Sequence, residues 1–119
     1  MSGTRLPSAA NAGVAPEKVR DYLLFRDHLD NDGKVDFFVA FGFTRERWSE
    51  LRSALIAHPL NNEVVRVVPA SDGMRYRIRC NLASLDGRAP CITTMWAVER
   101  GQSPKLITTL PGPPPRPAR

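Results

Sequence analysis

The pattern of apolar and polar positions changes its period near residue 62. Before that point, apolar residues recur every three to four positions, which is typical of amphipathic helices. After it, apolar and polar residues alternate in segments separated by turn residues, which indicates β-strands. This order predicts an α+β fold, with two or three N-terminal helices packed on one face of a four-stranded antiparallel β-meander.

The first two predicted helices are short. One begins at Pro16, since proline is tolerated in the first turn of a helix. Its buried stripe is formed by Val19 and Leu23, with Tyr22 and Phe25 as further candidates. Residues 35–41 are too apolar to be exposed, and they predict a second helix that ends at Gly42. Their β-branched and aromatic side chains leave a strand as the alternative.

The clearest helical pattern covers residues 45–58. Thr44 is predicted to cap its N-terminus, and Pro59 is expected to prevent its continuation. Apolar side chains at helical spacing form its buried face: Trp48, Leu51, Leu55 and Ile56.

Four predicted strands follow, over residues 63–69, 74–82, 91–99 and 105–111. Turn residues between them, such as Ser71-Asp72-Gly73, predict hairpins. Alternation is strongest in the second strand, where one face is apolar and the other carries Arg75, Arg77, Arg79 and Asn81.

The two ends of the chain differ in composition from the central part. Residues 1–14 are small and polar, and residues 112–119 are rich in proline. Neither segment contains enough apolar surface to offset the entropy of ordering it. The sequence therefore predicts a single α+β domain over residues 15–111, between two disordered segments.

The formal net charge of +5 is unevenly distributed. Residues 15–63 contain seven basic and nine acidic residues, whereas residues 64–111 contain seven basic and three acidic ones. The positive charge therefore belongs to the predicted sheet, and a basic surface favours anionic partners such as RNA.

The chain contains no apolar run long enough for a transmembrane helix and no secretory signal pattern. We therefore expect a cytoplasmic protein with no membrane partner. Cys80 and Cys91 match no zinc or redox motif. Both lie at core-facing strand positions, so we expect two buried thiols.

Motifs for common cofactors are absent: the chain has no P-loop, dinucleotide glycine fingerprint, paired metal-binding histidines or nucleophile elbow. Residues 28–34 resemble the centre of a calcium loop. However, His28 and Val39 occupy positions at which such a loop needs oxygen ligands. We therefore expect no metal and no other cofactor.

The arginine row of the second strand is the main candidate for chemistry. Arg75, Arg77 and Arg79 share one sheet face, with successive members about 7 Å apart, which is close to the spacing of phosphates in an extended nucleic-acid strand. A guanidinium binds phosphate bidentately. Arg66 and Arg88 widen this candidate nucleic-acid-binding set. The alternative is that the arginines only solvate the exposed face of a one-sided sheet.

Few residues are candidates for proton transfer. His58 lies in the last turn of the third helix, where the dipole favours its charged form, and it is a candidate general acid or base for phosphodiester cleavage. Lys34 is a second candidate, and Arg77 is expected to stabilise charge at the scissile group. A histidine at a helix end is also a common cap, so a structural role for His58 stays open.

An ordered set of short motifs covers residues 18–111: Lys34, Phe37-Phe38, Gly42-Phe43, Trp48, Leu51, His58, Gly73, Tyr76, Asp86-Gly87-Arg88, Thr94, Trp96 and Thr108-Thr109-Leu110-Pro111. In these motifs the chain resembles a small bacterial family of unknown function. That family is similar to the C-terminal toxin domains of the barnase, EndoU, colicin and RelE group of RNases. The resemblance implies helices followed by a four-stranded antiparallel sheet.

The arginine row and the resemblance together predict a metal-independent RNA-cleaving toxin-like domain, neutralised by an acidic antitoxin or immunity protein. Two alternatives stay open. One is a non-catalytic interaction protein of a toxin–antitoxin or immunity-type complex, and the other is an RNA-binding module that does not cleave.

Overall fold

The computed structural model describes residues 5–24, 34–84, 87 and 89–111. A 3₁₀ turn, Ala9–Asn11, precedes three helical elements: α1 (Pro16–Lys18, continued by a π-helical turn at Val19–Leu23), α2 (Lys34–Ala40) and α3 (Trp48–Asn61). Four strands follow: β1 (Val64–Ala70), β2 (Gly73–Asn81), β3 (Cys91–Glu99) and β4 (Lys105–Pro111). In these ranges no helix has the length and apolar character needed to cross a membrane.

The strands form one sheet in the order β1-β2-β3-β4, and each neighbouring pair is antiparallel. The predicted α+β fold with a four-stranded meander is therefore confirmed. Each strand begins and ends within one residue of its predicted limits. The core lies between the helices and one face of the sheet, where these buried side chains meet: Phe38, Leu51, Leu55, Ile78, Ile92 and Trp96.

The first helical segment begins as the sequence predicts. Pro16 occupies its first turn, and Val19 and Leu23 are fully buried. A hydrogen bond from the Leu24 N–H to the Val19 carbonyl (2.9 Å) closes the wider π-helical turn. The further candidates for this stripe, the Tyr22 side chain and Phe25, lie outside the described part of the chain.

Residues 34–40 form a helix and not the alternative strand. Gly42 terminates it with a φ of 99°, a left-handed conformation that glycine adopts without a steric penalty. The Phe43 N–H then reaches back to the Phe38 carbonyl (3.1 Å), the closing bond of a Schellman motif. The chain turns here so that both phenylalanines enter the core.

The predicted limits of α3 are wrong at its C-terminal end, because the helix includes Pro59 and continues to Asn61. A proline near the end of a helix removes one intrahelical donor, and side chains satisfy nearby carbonyls instead. Asn61 donates to the Ala57 carbonyl (3.2 Å), and Asn62 donates to the His58 carbonyl (2.9 Å). The predicted start and cap are wrong as well, because α3 begins at Trp48 and the residue before it, Arg47, forms no side-chain capping bond. Thr44 instead accepts a hydrogen bond from the Arg47 N–H (3.3 Å) in a turn that precedes the helix.

The close contact between the start of β2 and the end of β3 depends on Gly73. Its φ is 151°, and a Cβ atom at this position would overlap the carbonyl oxygen of Val98 and approach the Cα of Glu99 to 2.9 Å. The close contact between β2 and β3 at this end therefore requires a glycine.

The N-terminal segment differs from the sequence-based expectation of disorder. Leu6, Ala12 and Val14 are buried in the core. Gly13 forms a parallel bridge with Lys105, in which its N–H donates to the Pro104 carbonyl (2.8 Å). A few spaced apolar residues are therefore enough to attach this segment to the domain. Residues 1–4 and 112–119 lie outside the described ranges, so the predicted disorder there stays a prediction.

The expectation of two free thiols is also wrong, because Cys80 and Cys91 are joined by a disulfide. The hairpin register explains the pairing. Cys91 lies opposite Asn81, which directly follows Cys80 in β2. Cys80 itself has a φ of 116°. The register of two strands predicted separately is not visible in their spacing, and for that reason the sequence did not indicate the bond.

Candidate anion-binding site

The sheet has one face without helices, which we call the open face. Strand alternation places Ile78, Thr94 and Trp96 towards the core, so their neighbours along β2 and β3 lie on the open face. Cross-strand pairing joins Arg66 to Arg77, Arg79 to Thr93, and Thr93 to Leu110. The open face therefore carries a basic half, on β1 and β2, and a neutral half, on β3 and β4.

A cleft of about 220 Å³ lies where these two halves meet. We call it the arginine cleft, and it is lined by Val65, Arg66, Arg77, Arg79, Thr93 and Leu110. Its volume corresponds to about seven water molecules at roughly 30 Å³ each, which is enough for a phosphate group. Thr93 is only 4% exposed, because Arg79 and Leu110 flank it on the two adjacent strands.

The arginines of this face differ in their partners. Arg75 is paired with Asp72, the nitrogen and oxygen lying 3.0 Å apart. Arg66, Arg77 and Arg79 have no acidic partner in the part of the chain that the structure describes. Like charges directly opposite each other on neighbouring strands are destabilising, and Arg66 lies opposite Arg77. An anion bound between them would remove this repulsion.

A larger cleft of about 720 Å³ lies at the other end of the sheet, between the tips of the two hairpins. Its charged side chains are Glu99 and Arg100, which have opposite signs. It therefore lacks the concentration of one charge that the arginine cleft has.

His58 lies in the core, on the opposite side of the sheet from the arginine cleft, and is 1% exposed. Its Nε2 is 2.7 Å from the Cys80 carbonyl oxygen, which can only accept, so Nε2 carries the proton. Its Nδ1 then accepts a hydrogen bond from the Thr94 hydroxyl (2.9 Å). The Thr94 oxygen in turn accepts a hydrogen bond from the Trp96 indole N–H (2.9 Å).

Burial lowers the pKa of His58 from its ordinary value, and the hydrogen bond to the Cys80 carbonyl opposes this shift in part. The imidazole is therefore neutral, with both ring nitrogens occupied by protein groups. This arrangement stabilises the contact between α3 and the sheet. It provides no free nitrogen for a substrate on the open face.

The remaining sequence-predicted residues are placed as follows. The structure brings Arg66, Arg77 and Arg79 together in the arginine cleft, whereas Arg75 forms an ion pair with Asp72. Lys34 begins α2, and the structure describes it by its backbone alone. Arg88 lies outside the described residues. Sequence reasoning missed Val65 and Leu110 as lining residues, because their proximity follows from the strand register and the β1 bulge between Val64 and Arg66.

The fold and site define a small α+β domain with helices on one face of an antiparallel meander and a basic cleft on the other. A family model described as "Domain of unknown function (DUF6883)" matches residues 5–113, and the chain belongs to this family. No curated protein matches the chain.

The fold is similar to that of a chain in a solved structure from Klebsiella pneumoniae 342, described as a contact-dependent growth inhibition toxin–immunity protein complex. The TM-score is 0.70 at 16% sequence identity, and the match covers 89% of this chain and 97% of the other. At this identity the similarity concerns the fold.

Proposed function

We propose that the chain is a toxin-like domain that binds RNA through its open face and cleaves it without a metal ion. The observation that carries the proposal is the arginine cleft. Three arginines that have no acidic partner among the described residues converge there, and two of them lie directly opposite each other. Such a cluster is unfavourable in the isolated protein, and a phosphate group would compensate its charge.

The fold similarity supports a toxin-like or immunity-type role, because the similar chain belongs to a toxin–immunity protein complex. The charge of the site favours the toxin-like role. A cationic cleft attracts the polyanionic backbone of RNA, and the interaction with phosphates contributes most of the affinity of non-specific binding.

Within this proposal, Arg77 stabilises the charge that develops on the phosphate during cleavage, since it lies between Arg66 and Arg79 in the cleft. Thr93 contributes a polar group beside them. His58 is enclosed in the core, so its role is to stabilise the contact between α3 and the helix-covered face of the sheet. Proton transfer by Lys34 stays a prediction from the sequence, since α2 packs on the helix-covered face of the sheet and not on the open face.

The test combines expression and RNA binding. Wild type, Arg77→Ala and Arg100→Ala are expressed in bacteria, and growth and total RNA are followed. The purified proteins are then titrated with a labelled single-stranded RNA at several NaCl concentrations and analysed on denaturing gels. Arg100→Ala is the matched control, because it removes the same charge from an exposed position outside the arginine cleft.

We expect wild type and Arg100→Ala to arrest growth and cleave RNA, and Arg77→Ala to lose both effects. The slope of log affinity against log salt should decrease by about 0.7 for Arg77→Ala, the contribution of one phosphate contact to single-stranded RNA. Binding with intact RNA would contradict the cleavage proposal and leave a non-cleaving RNA-binding module. No binding by any of the three proteins would contradict the whole proposal.

The second candidate is a non-catalytic interaction protein of a toxin–antitoxin or immunity-type complex. It is favoured by the exposed valines of β1, because apolar side chains on a sheet edge are typical of protein interfaces. Harmless expression together with intact and unbound RNA would support this candidate.

A further inference from the structure

Among the described residues, the N-terminal segment covers part of the β4 edge of the sheet, whereas the β1 edge is uncovered. On the outer side of β4, the Leu106 N–H donates to the Gly13 carbonyl (3.0 Å), next to the bridge between Gly13 and Lys105. The N-terminal segment thus covers part of the β4 edge. No described segment pairs with the outer side of β1, so this edge is open over the ranges that the structure contains.

The backbone of β1 can accept a further strand. Pro69 has no N–H, so in β1 that side of its backbone points away from β2, and the outer edge lacks a donor at this one position. Backbone groups alternate in direction along a strand, so Val67 also directs its N–H and carbonyl outwards. An open edge of this kind is a template for strand pairing.

The side chains of β1 also favour the binding of a further strand at this edge. Val65, Val67 and Val68 are 53%, 39% and 37% exposed, although they are β-branched residues of a strand. A strand placed beside them would remove apolar surface from water. Arg66 is the only charged residue of β1, and it lies on the open face, where it lines the arginine cleft.

The positive charge of the open face determines which kind of strand can pair with the outer edge of β1. Pairing β1 with a second copy of this chain would bring two sets of Arg66, Arg77 and Arg79 onto one continuous sheet face. A strand with acidic residues would instead place opposite charges across from Arg66, and such cross-strand pairs are stabilising. Arg66 therefore disfavours self-pairing while it permits an acidic partner.

We propose that the outer edge of β1 binds an acidic, extended segment of a partner protein, which adds a fifth antiparallel strand to the sheet and extends over the arginine cleft. The observations that carry this inference are the open edge, its exposed valines and the unpaired arginines beside it. It does not depend on RNA cleavage, because it assigns a docking surface for a protein strand under either candidate function.

The probe is a capped nine-residue synthetic peptide in which glutamate alternates with valine, and its control has lysine in place of glutamate. Both are titrated into the full-length ¹⁵N-labelled protein, and amide shifts and hydrogen exchange are recorded by NMR. We expect the acidic peptide to shift and protect the amide of Val67, and the lysine peptide to leave it unchanged.

Two changes test whether the contact is a backbone ladder. Val67→Pro removes the outward donor at a position equivalent to Pro69, whereas Val67→Thr retains the donor and the β-branched shape. We expect Val67→Pro to weaken acidic peptide binding about tenfold, the effect of losing one or two net hydrogen bonds, and Val67→Thr to leave it unchanged. Should Val67→Pro fail to fold, N-methylation of alternate peptide residues removes the same ladder bonds from the other partner.

Three results would overturn the proposal. If the amide shifts and hydrogen exchange of β1 stay unchanged at millimolar peptide, β1 is not a docking surface. Shifts confined to the arginine cleft and insensitive to Val67→Pro would mean that the peptide binds only as a polyanion. A concentration-dependent dimer in sedimentation, with the amides of β1 protected, would mean that β1 pairs with a second copy of this chain.

RNA binding is measured on the same variants. Because Val67 lies outside the arginine cleft, failure of the docking proposal and failure of the RNA proposal are distinguishable.

Discussion

At the scale of single residues, His58 shows how far a local pattern can be interpreted. Its position near the end of a predicted helix suggests a charged imidazole available for chemistry. In the structure its partners are Thr94 and the carbonyl of Cys80, which are 36 and 22 residues distant in sequence. Such long-range partners decide between a catalytic and a structural histidine, and no local spacing contains them.

The depressed pKa of His58 predicts a pH-dependent stability. The unfolded chain takes up a proton below about pH 6.5, whereas the folded chain resists it, so the free energy of unfolding falls as the pH decreases from there towards the lower pKa of the folded state. The loss has a limit of about 1.4 kcal/mol per pH unit. Urea denaturation at pH 7.5, 6.5 and 5.5 measures it.

His58→Gln is the control for this prediction, because it removes the titrating group while other residues still titrate. Parallel pH profiles of wild type and His58→Gln would contradict the prediction. His58→Ala, the obvious test of catalysis, is expected to lose about 2–4 kcal/mol of stability, since it leaves a cavity and a Thr94 hydroxyl proton without its acceptor. Loss of activity in that variant would therefore report on folding.

At the scale of elements, the strands were easier to predict than the helices. Period-two alternation and turn residues at both ends set their limits, so Cys91–Glu99 and Lys105–Pro111 agree with the predicted ranges. The observed limits of α3 differ from the predicted ones, because the helix begins after a turn and continues through Pro59. Its end depends on carbonyl partners supplied by Asn61 and Asn62, which propensity alone does not reveal.

The pairing of strands also determines the cysteines, and this leads to a prediction about β2 and β3. The Cys80–Cys91 disulfide closes a loop with a sequence separation of 11. In the chain-entropy model a loop of about this length contributes about 3 kcal/mol of stability. We expect dithiothreitol to lower the urea midpoint of wild type accordingly. The double variant Cys80→Ser, Cys91→Ser should match reduced wild type and be insensitive to reductant, and an unchanged wild-type midpoint would contradict the prediction.

At the scale of the whole molecule, the sequence predicted the layers correctly and underestimated how much of the chain belongs to them. The change of period from helical to alternating determines the order of helices and sheet. The contribution of residues 5–14 depends on three separated apolar side chains and one backbone bridge, which do not form a periodic pattern. The open face was predicted from the alternation of β2, whereas the arginine cleft also needed the register between strands.

The docking of this N-terminal segment can be tested with two point variants. Leu6→Ala removes a buried side chain and should lower the free energy of unfolding by about 2–3 kcal/mol, at the lower end of such substitutions because the site is near the chain end. Asn11→Ala changes an exposed side chain of the same segment and should stay within about 0.5 kcal/mol of wild type. Equal urea midpoints for Leu6→Ala and wild type would indicate that the segment is detached in solution.

The tryptophans give the molecule an internal optical probe. Trp96 is fully buried with its indole N–H on the Thr94 hydroxyl, whereas Trp48 is partly exposed beneath the guanidinium of Arg20, 5.8 Å from the ring centre. A buried indole emits at shorter wavelengths than a hydrated one, so the two contributions are separable. Because the same hydroxyl also holds His58, the fluorescence of Trp96 follows the state of the central hydrogen-bond network without any added label.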